Sequence, residues 1–179
     1  MYTLQAQYLA RYPVHLSPLA FTLVLSIGLS GYWIFRAVNY QKDLVRRTDA
    51  KCTIWGRPAE VIRAQYVTSD GTLHRSILLC SGNFYILSVY LLTPALSVQK
   101  QGFWGITRHA NYLGDLILSF CMCAACGVKH LLPYTYIIFM VALLLNRCSR
   151  DDARCTGKYG KYWEEYKRRV PYTLVPGIY

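Results

Sequence analysis

The run "LSPLAFTLVLSIGLSGYWIF", residues 16–35, carries no charged side chain. A helix of about 20 residues rises some 30 Å, the thickness of a bilayer's hydrocarbon core. Its end agrees with its middle. Tyr32 and Trp33 stand where an aromatic belt meets the lipid–water interface, and Arg36 follows as a basic flank. The stretch therefore reads as a membrane-spanning helix over about residues 16–36. Within it, Gly28, Ser30 and Gly31 are small residues of the kind that let neighbouring membrane helices approach closely.

Working outward, the remaining sequence suits a bilayer too. The 179 residues are 54% hydrophobic, with a mean hydropathy of +0.19, high values for a soluble domain. Two further apolar runs, "YLGDLILSFCMCAACG" and "LLPYTYIIFMVALLLN", are separated by Gly127, Val128, Lys129 and His130. They predict spans over about 112–128 and 131–147, a helical hairpin with Pro133 near the start of its second helix. Between the first span and this hairpin lies a polar segment in which Ser69–Gly71 reads as the turn of a short β-hairpin joining Tyr66–Val67 to Leu73. The fold class that follows is all-α: a multi-span helical membrane protein with a small extramembrane hairpin and a polar tail over 148–179.

Charge narrows the function. Twenty Lys and Arg against nine Asp and Glu leave a net charge of +11, which suits nucleic acid, an anionic membrane surface or a phosphorylated small molecule. Nucleic acid fits worst, because the bases lie between apolar segments and no zinc-finger, RNP or basic-helix pattern occurs. No secretory signal with a cleavage site opens the sequence, and three of the seven cysteines lie inside an apolar run; all seven read as reduced thiols. Cys123 and Cys126 have CxxC spacing without a second ligand pair, which makes small core groups the simpler reading over a metal or redox site. Neither a G-x-G-x-x-G loop after a strand nor a Walker loop is present, so a nucleotide here is not held by a Rossmann or P-loop fold.

One stretch breaks the rhythm. "NFYILSVYLLTPALSVQKQG", residues 83–102, is short for a span and interrupted by Pro94. Deleting it joins "LLCSG" directly to "FWGITRH", and its Gly-Asn and Gln-Gly borders are compatible with intron ends, so it reads as an in-frame insertion from a retained intron or alternative exon.

Three polar patches at helix ends carry the chemistry. Lys42 and Arg46 are four apart, so a helix continuing from the first span points both the same way. Two converging cations suit phosphates; a positive-inside flank is the plainer alternative. The second patch, "WGITRHANYLGDL", brings Trp104, Arg108, His109, Asn111, Tyr112 and Asp115 to the mouth of a membrane helix. An aromatic belt accounts for Trp104 and Tyr112, whereas Asn111 and Asp115 entering hydrocarbon need partners. In the third patch Asp151, Cys155, Lys158, Tyr159, Trp163 and Tyr166 recur mostly every three or four residues. On a helix that is one polar-aromatic face, able to stack a planar ring and hydrogen-bond its substituents.

The segments "NYQKDLVRR", "CTIWGRP", "GFWGITRHANYLGDL", "HLLPYTYIIFMVALLLNR" and "RDDARCTGKYGKYWEEYKRRVPYTLVPGIY" together closely resemble the carboxyl-terminal part of the sterol reductases of the ergosterol and cholesterol pathways. "TDAKCTIWGRP", "SDGTLH" and "VPGIY" tilt the resemblance towards members acting at the C7–C8 double bond rather than the 14-sterol reductases. The resemblance implies NADPH-dependent reduction of that sterol double bond by a multi-pass protein of the endoplasmic reticulum membrane. It also implies a cofactor pocket facing the cytosol, and association with membrane lipid and other sterol-pathway membrane enzymes. Family positions that contact NADPH carry over to Lys42 and Arg46 for phosphates, Leu79 and Trp104 near the ring, and Asn111 and Tyr112 at the helix mouth. In the tail they carry over to Asp151, Cys155, Thr156, Gly157, Lys158, Tyr159 and Tyr166. Asp151 and Tyr112 are candidates for the proton relay, with no catalytic donor assigned. Because the family has further amino-terminal helices, the chain is expected to be a truncated isoform or partial chain holding the cofactor half. An isoprenylcysteine-type membrane methyltransferase, sharing the "RH..Y.G" framework, and a non-catalytic fragment that pairs with a full-length reductase are the rival readings.

Overall fold

The structure, a computed structural model, describes residues 3–68, 70–80 and 102–178. All but the last residue of the expected insertion at 83–102 lies outside them, as does Ser69 of the expected turn. The chain divides into two compact units, residues 1–36 with 111–148, and residues 37–110 with 149–179.

The first unit is helical. A short helix α1 (Leu4–Arg11) precedes the long α2 (Pro18–Arg47). Ser17 explains where α2 begins: its Oγ accepts a hydrogen bond from the Ala20 N–H at 3.2 Å, and Pro18 takes the first helical position, where a missing N–H matters least. Leu19, Phe21, Leu23, Leu25, Ile27 and Leu29 of α2 are all exposed. An exposed apolar flank of this length is what lipid, not water, would cover. Helix α3 (Ala110–Ala124) is apolar but only 15 residues long. After a 3-10 turn at Leu132–Tyr134 comes α4 (Thr135–Tyr159). Among the described residues, two helical stretches, Pro18–Arg47 and Leu132–Tyr159, are long and apolar enough to cross a membrane by length and composition.

Small residues set the packing of α2 on α3. A β-carbon added to Gly31 would lie 2.8 Å from Ile117 Cγ2 and 2.9 Å from the Gly114 carbonyl oxygen, and one added to Gly114 would lie 2.7 Å from the Gly31 carbonyl oxygen. The expected close approach at Gly28 and Gly31 is thus present. Ser30 takes no part, its hydroxyl donating to the Ile27 carbonyl of its own helix at 2.7 Å. Against α3, helix α4 buries Tyr136, Met140 and Leu144 at four-residue spacing around Cys123. Cys123 and Cys126 are almost wholly inaccessible free thiols. Cys123 Sγ lies 3.2 Å from the Pro133 carbonyl oxygen, as a small core group would.

The second unit carries the expected hairpin and a further pair of short strands, so the chain is not all-α. Strands β1 (Thr53–Ile54) and β2 (Arg57–Pro58) form a minimal antiparallel ladder joined by Trp55 and Gly56. Both linking residues have positive φ, 50° and 83°, the requirement of a two-residue primed turn that glycine meets without strain. Strands β3 (Val61–Val67) and β4 (Leu73–Leu79) pair antiparallel from Val67↔Leu73 to Val61↔Leu79, the hairpin expected around Ser69–Gly71. One face of this hairpin is apolar: Ile62 and Cys80 join Trp163, Tyr166 and Val170 in a buried cluster. The last three come from α5 (Lys161–Arg169) and the residue that follows it. Gly160, at φ 49° and ψ −121°, separates α4 from α5 in a conformation an L side chain rarely adopts. The tail is therefore a continuation of α4 to Tyr159, a break, and a short amphipathic helix.

Candidate functional site

The second unit gathers most of the candidate residues. Val38 and Val45 are fully buried in the last turns of α2, which fixes the rotation of that helix about its axis. Residues 103–104 clasp it: the Phe103 N–H donates to Gln41 Oε1 at 3.2 Å, and Trp104 Nε1 donates to the Val38 carbonyl at 2.9 Å. The Trp104 ring, held this way, faces the Lys42 ammonium, whose Nζ lies 4.7 Å from the ring centroid. A cation over an aromatic face is stabilised by the ring quadrupole and is thereby positioned.

Next along the chain, Arg108 and His109 are pinned by the carboxyl-terminal segment. The Arg108 N–H donates to the Tyr172 carbonyl and the His109 N–H to the Thr173 carbonyl, both at 3.0 Å. The Arg108 side chain is only 11% exposed. It donates to Thr173 Oγ1 at 2.6 Å and lies 4.0 Å from an Asp152 carboxylate oxygen. Asp152 also accepts from Trp163 Nε1 at 2.9 Å and stands 4.0 Å from Lys167 Nζ. Burial pushes His109 down to about 4; Asp151 opposes the shift, while Arg108 and Lys42 add to it. Its imidazole is neutral at physiological pH. Asp151 and Cys155 act on the charge of Lys42 as well, so Lys42, His109, Asp151 and Cys155 share one neighbourhood.

The other tail residues divide. Tyr166 is buried and stacked on Trp163 at 5.0 Å, and burial drives its hydroxyl far above the usual phenol range. Tyr159 bonds Ser76 Oγ at 3.2 Å across to β4 and meets Tyr66 edge to face. Lys158 sits 4.2 Å from the Tyr66 ring centroid. Thr156 and Gly157 are exposed, with open space at the Gly157 Cα where a side chain would go. Leu79 is buried at the end of β4. Asn111 and Tyr112 belong to the first unit, where the Tyr112 ring lies 5.7 Å from the Arg147 guanidinium.

Four residues outside the expected set matter here. Asp152, rather than its neighbour Asp151, holds Arg108 and Trp163. Arg63 and Arg75 line a 670 Å³ groove together with Arg46. Thr107 is 1% exposed, and its Oγ1 has no hydrogen-bond partner among the described residues; neither has the buried Asn111 Oδ1. Buried acceptors left unpaired are uncommon in folded proteins and call for a donor. Within the second unit, cations, a fixed aromatic face and carboxylates are the kinds of group a phosphorylated dinucleotide would need for its phosphates, ring and hydroxyls. Lys42, Arg46, Trp104 and Asp151 are the residues that could hold it. Among the described residues no cluster of three or more His, Cys, Asp or Glu is arranged to hold a metal ion.

Comparison with known proteins gives this arrangement a context. The model of the ergosterol biosynthesis ERG4/ERG24 family matches residues 1–179. A 7-dehydrocholesterol reductase of Xenopus laevis is 48% identical over 179 residues, covering all of this chain and 34% of the relative. The Danio rerio 7-dehydrocholesterol reductase is 46% identical over 179 residues, covering all of this chain and 33% of its own length. A Delta(14)-sterol reductase of Methylotuvimicrobium alcaliphilum is 40% identical over 180 residues, covering 99% of this chain and 35% of the relative. The chain thus spans about a third of the length of the curated relatives it matches.

Proposed function

This chain belongs to the ergosterol biosynthesis ERG4/ERG24 family, the membrane-embedded sterol reductases, and from that premise we propose that it serves NADPH-dependent reduction of the C7–C8 double bond of a sterol. The observation that carries the cofactor reading is the Lys42 ammonium fixed over Trp104 beside Asp151 and the neutral His109. NADPH, when bound, supplies the hydride. The chain's own residues do the rest. Lys42 and Arg46 neutralise phosphates, Trp104 and Tyr159 offer ring faces, Asp151 accepts from hydroxyls, and Tyr166, buried against Trp163, backs the wall. Leu79, Cys155, Thr156, Gly157 and Lys158 are the further cofactor contacts proposed within the second unit.

An isolated alkene is a poor hydride acceptor, so one ring carbon must take a proton as its neighbour takes the hydride. The setting we propose is the endoplasmic reticulum membrane, with the sterol drawn from the lipid phase.

The test is NADPH binding to the detergent-purified chain, beside Lys42→Ala with Arg46→Ala. Saturable binding weakened about a hundredfold in the double variant is expected, from the loss of two charge-assisted contacts. Binding unaffected by the substitutions would sink the assignment. The 40% identity to a Delta(14)-sterol reductase favours reduction at the 14-position as a second reading. Supplying the 7-unsaturated and the 14-unsaturated sterol in parallel separates the two by which one consumes NADPH.

A further inference from the structure

The hairpin's outer face carries two arginines, Arg63 and Arg75. Arg63 pairs across the ladder with Ile77 and Gln65 with Arg75, so these four side chains share one face, opposite Ile62 and Ala64 in the core. Arg63, Gln65 and Arg75 line the 670 Å³ groove with Arg46, Asp49 and Ser76. Asp49 accepts from Arg63 twice at 3.3 Å, through a carboxylate oxygen and its own backbone carbonyl, which aims that guanidinium. Arg46 and Arg75 have no ion-pair partner among the described residues. Three guanidinium groups against one carboxylate leave the groove's lining net positive, a charge that an anion would balance. Guanidinium forks match phosphate oxygens in geometry. The groove's volume lies in the range of small-ligand sites. Arg46 also ties it to the cofactor side, being one helical turn from Lys42 and close enough to act on its charge.

We infer that Arg63 and Arg75 join Arg46 as a phosphomonoester site that takes the 2′-phosphate of the dinucleotide and so selects NADPH over NADH. This rests on the NADPH reading above. Arg63 and Arg75 are the specificity residues; Asp49 is a positioning residue.

The experiment compares the purified full chain with Arg63→Gln and Arg75→Gln combined, measuring the affinities for NADPH, NADH and 2′,5′-ADP, and binding to vesicles containing phosphatidylinositol 4-phosphate. Both arginines are exposed and outside the core, so the variant is expected to fold. The expected result is a loss of about ten- to a hundredfold for NADPH and 2′,5′-ADP with NADH unchanged. An NADPH preference that survives the double substitution overturns the inference while leaving the cofactor reading intact. Arginine-dependent vesicle binding with that preference unchanged assigns the groove to a lipid headgroup and also overturns it. Failure of the unaltered chain to bind either dinucleotide overturns both.

Discussion

His109 is a titrating group with a measurable signature at the residue scale. Its folded-state value of about 4 lies below the 6.5 of a free imidazole, chiefly through burial. As pH falls the unfolded chain takes up the proton first, so this contribution to stability is complete above about 6.5 and lost progressively towards about 4. A shift of one unit is worth about 1.4 kcal/mol, so the loss is on the order of 3 kcal/mol. Denaturant titrations in detergent across that window should show the decline, and His109→Gln should flatten it; an equally steep decline in the variant would place the titration elsewhere. His109 and its neighbours also show what sequence reveals about a site. "TRHANY" marked a polar patch at a helix mouth from residue types alone. That Asp152, not Asp151, would hold Arg108 and Trp163 was not legible, because two adjacent carboxylates are chemically identical. Helical rotation of about 100° per residue, together with the break at Gly160 that swings Trp163 back, decides which one faces the buried guanidinium.

At the scale of elements, glycine positions separate packing from binding. A β-carbon at Gly114 would lie 2.7 Å from both the Gly31 carbonyl oxygen and the Phe35 nitrogen, backbone atoms that cannot turn aside. Gly114→Ala should therefore push α3 off α2 and destabilise the first unit by about 1–3 kcal/mol or more. Unfolding in a denaturing detergent titration would register it, and an unchanged midpoint would refute the close crossing. Gly157 is the contrast, lying inside α4 with nothing within 4 Å of an added β-carbon. Alanine there should raise stability by roughly 0.5–1 kcal/mol. If the cofactor lies against this backbone as proposed, NADPH affinity should fall severalfold in the same variant; a more stable protein with unaltered affinity removes Gly157 from the site. Sequence periodicity gave the apolar runs their helices and placed the β3–β4 turn, since both rest on local pattern. It could not show α4 running on through the polar tail to Tyr159, because the apolar signal stops near Asn146 while helix propensity does not. The β1–β2 ladder was equally hidden: two residues per strand carry no period.

For the molecule as a whole, the excess of 20 basic over nine acidic residues pointed to an anionic partner without saying where it would bind. Position comes from folding. Lys42 and Arg46 are local neighbours on one helix, but Arg63 and Arg75 reach Arg46's groove only because a hairpin's register brings them there. Sequence distance hides this kind of convergence, and electrostatics makes it testable. Attraction between a cationic groove and a dinucleotide is screened as the Debye length shortens from about 30 Å at 0.01 M salt to about 10 Å at 0.1 M. NADPH differs from NADH by one phosphate, so if that phosphate sits among the three guanidinium groups, NADPH affinity should fall more steeply with salt. The difference between the two slopes should shrink in the Arg63→Gln, Arg75→Gln protein, where the extra charge meets Arg46 alone. Equal slopes in the unaltered chain would mean that its surplus positive charge acts on both dinucleotides as a diffuse field, with no groove that distinguishes them.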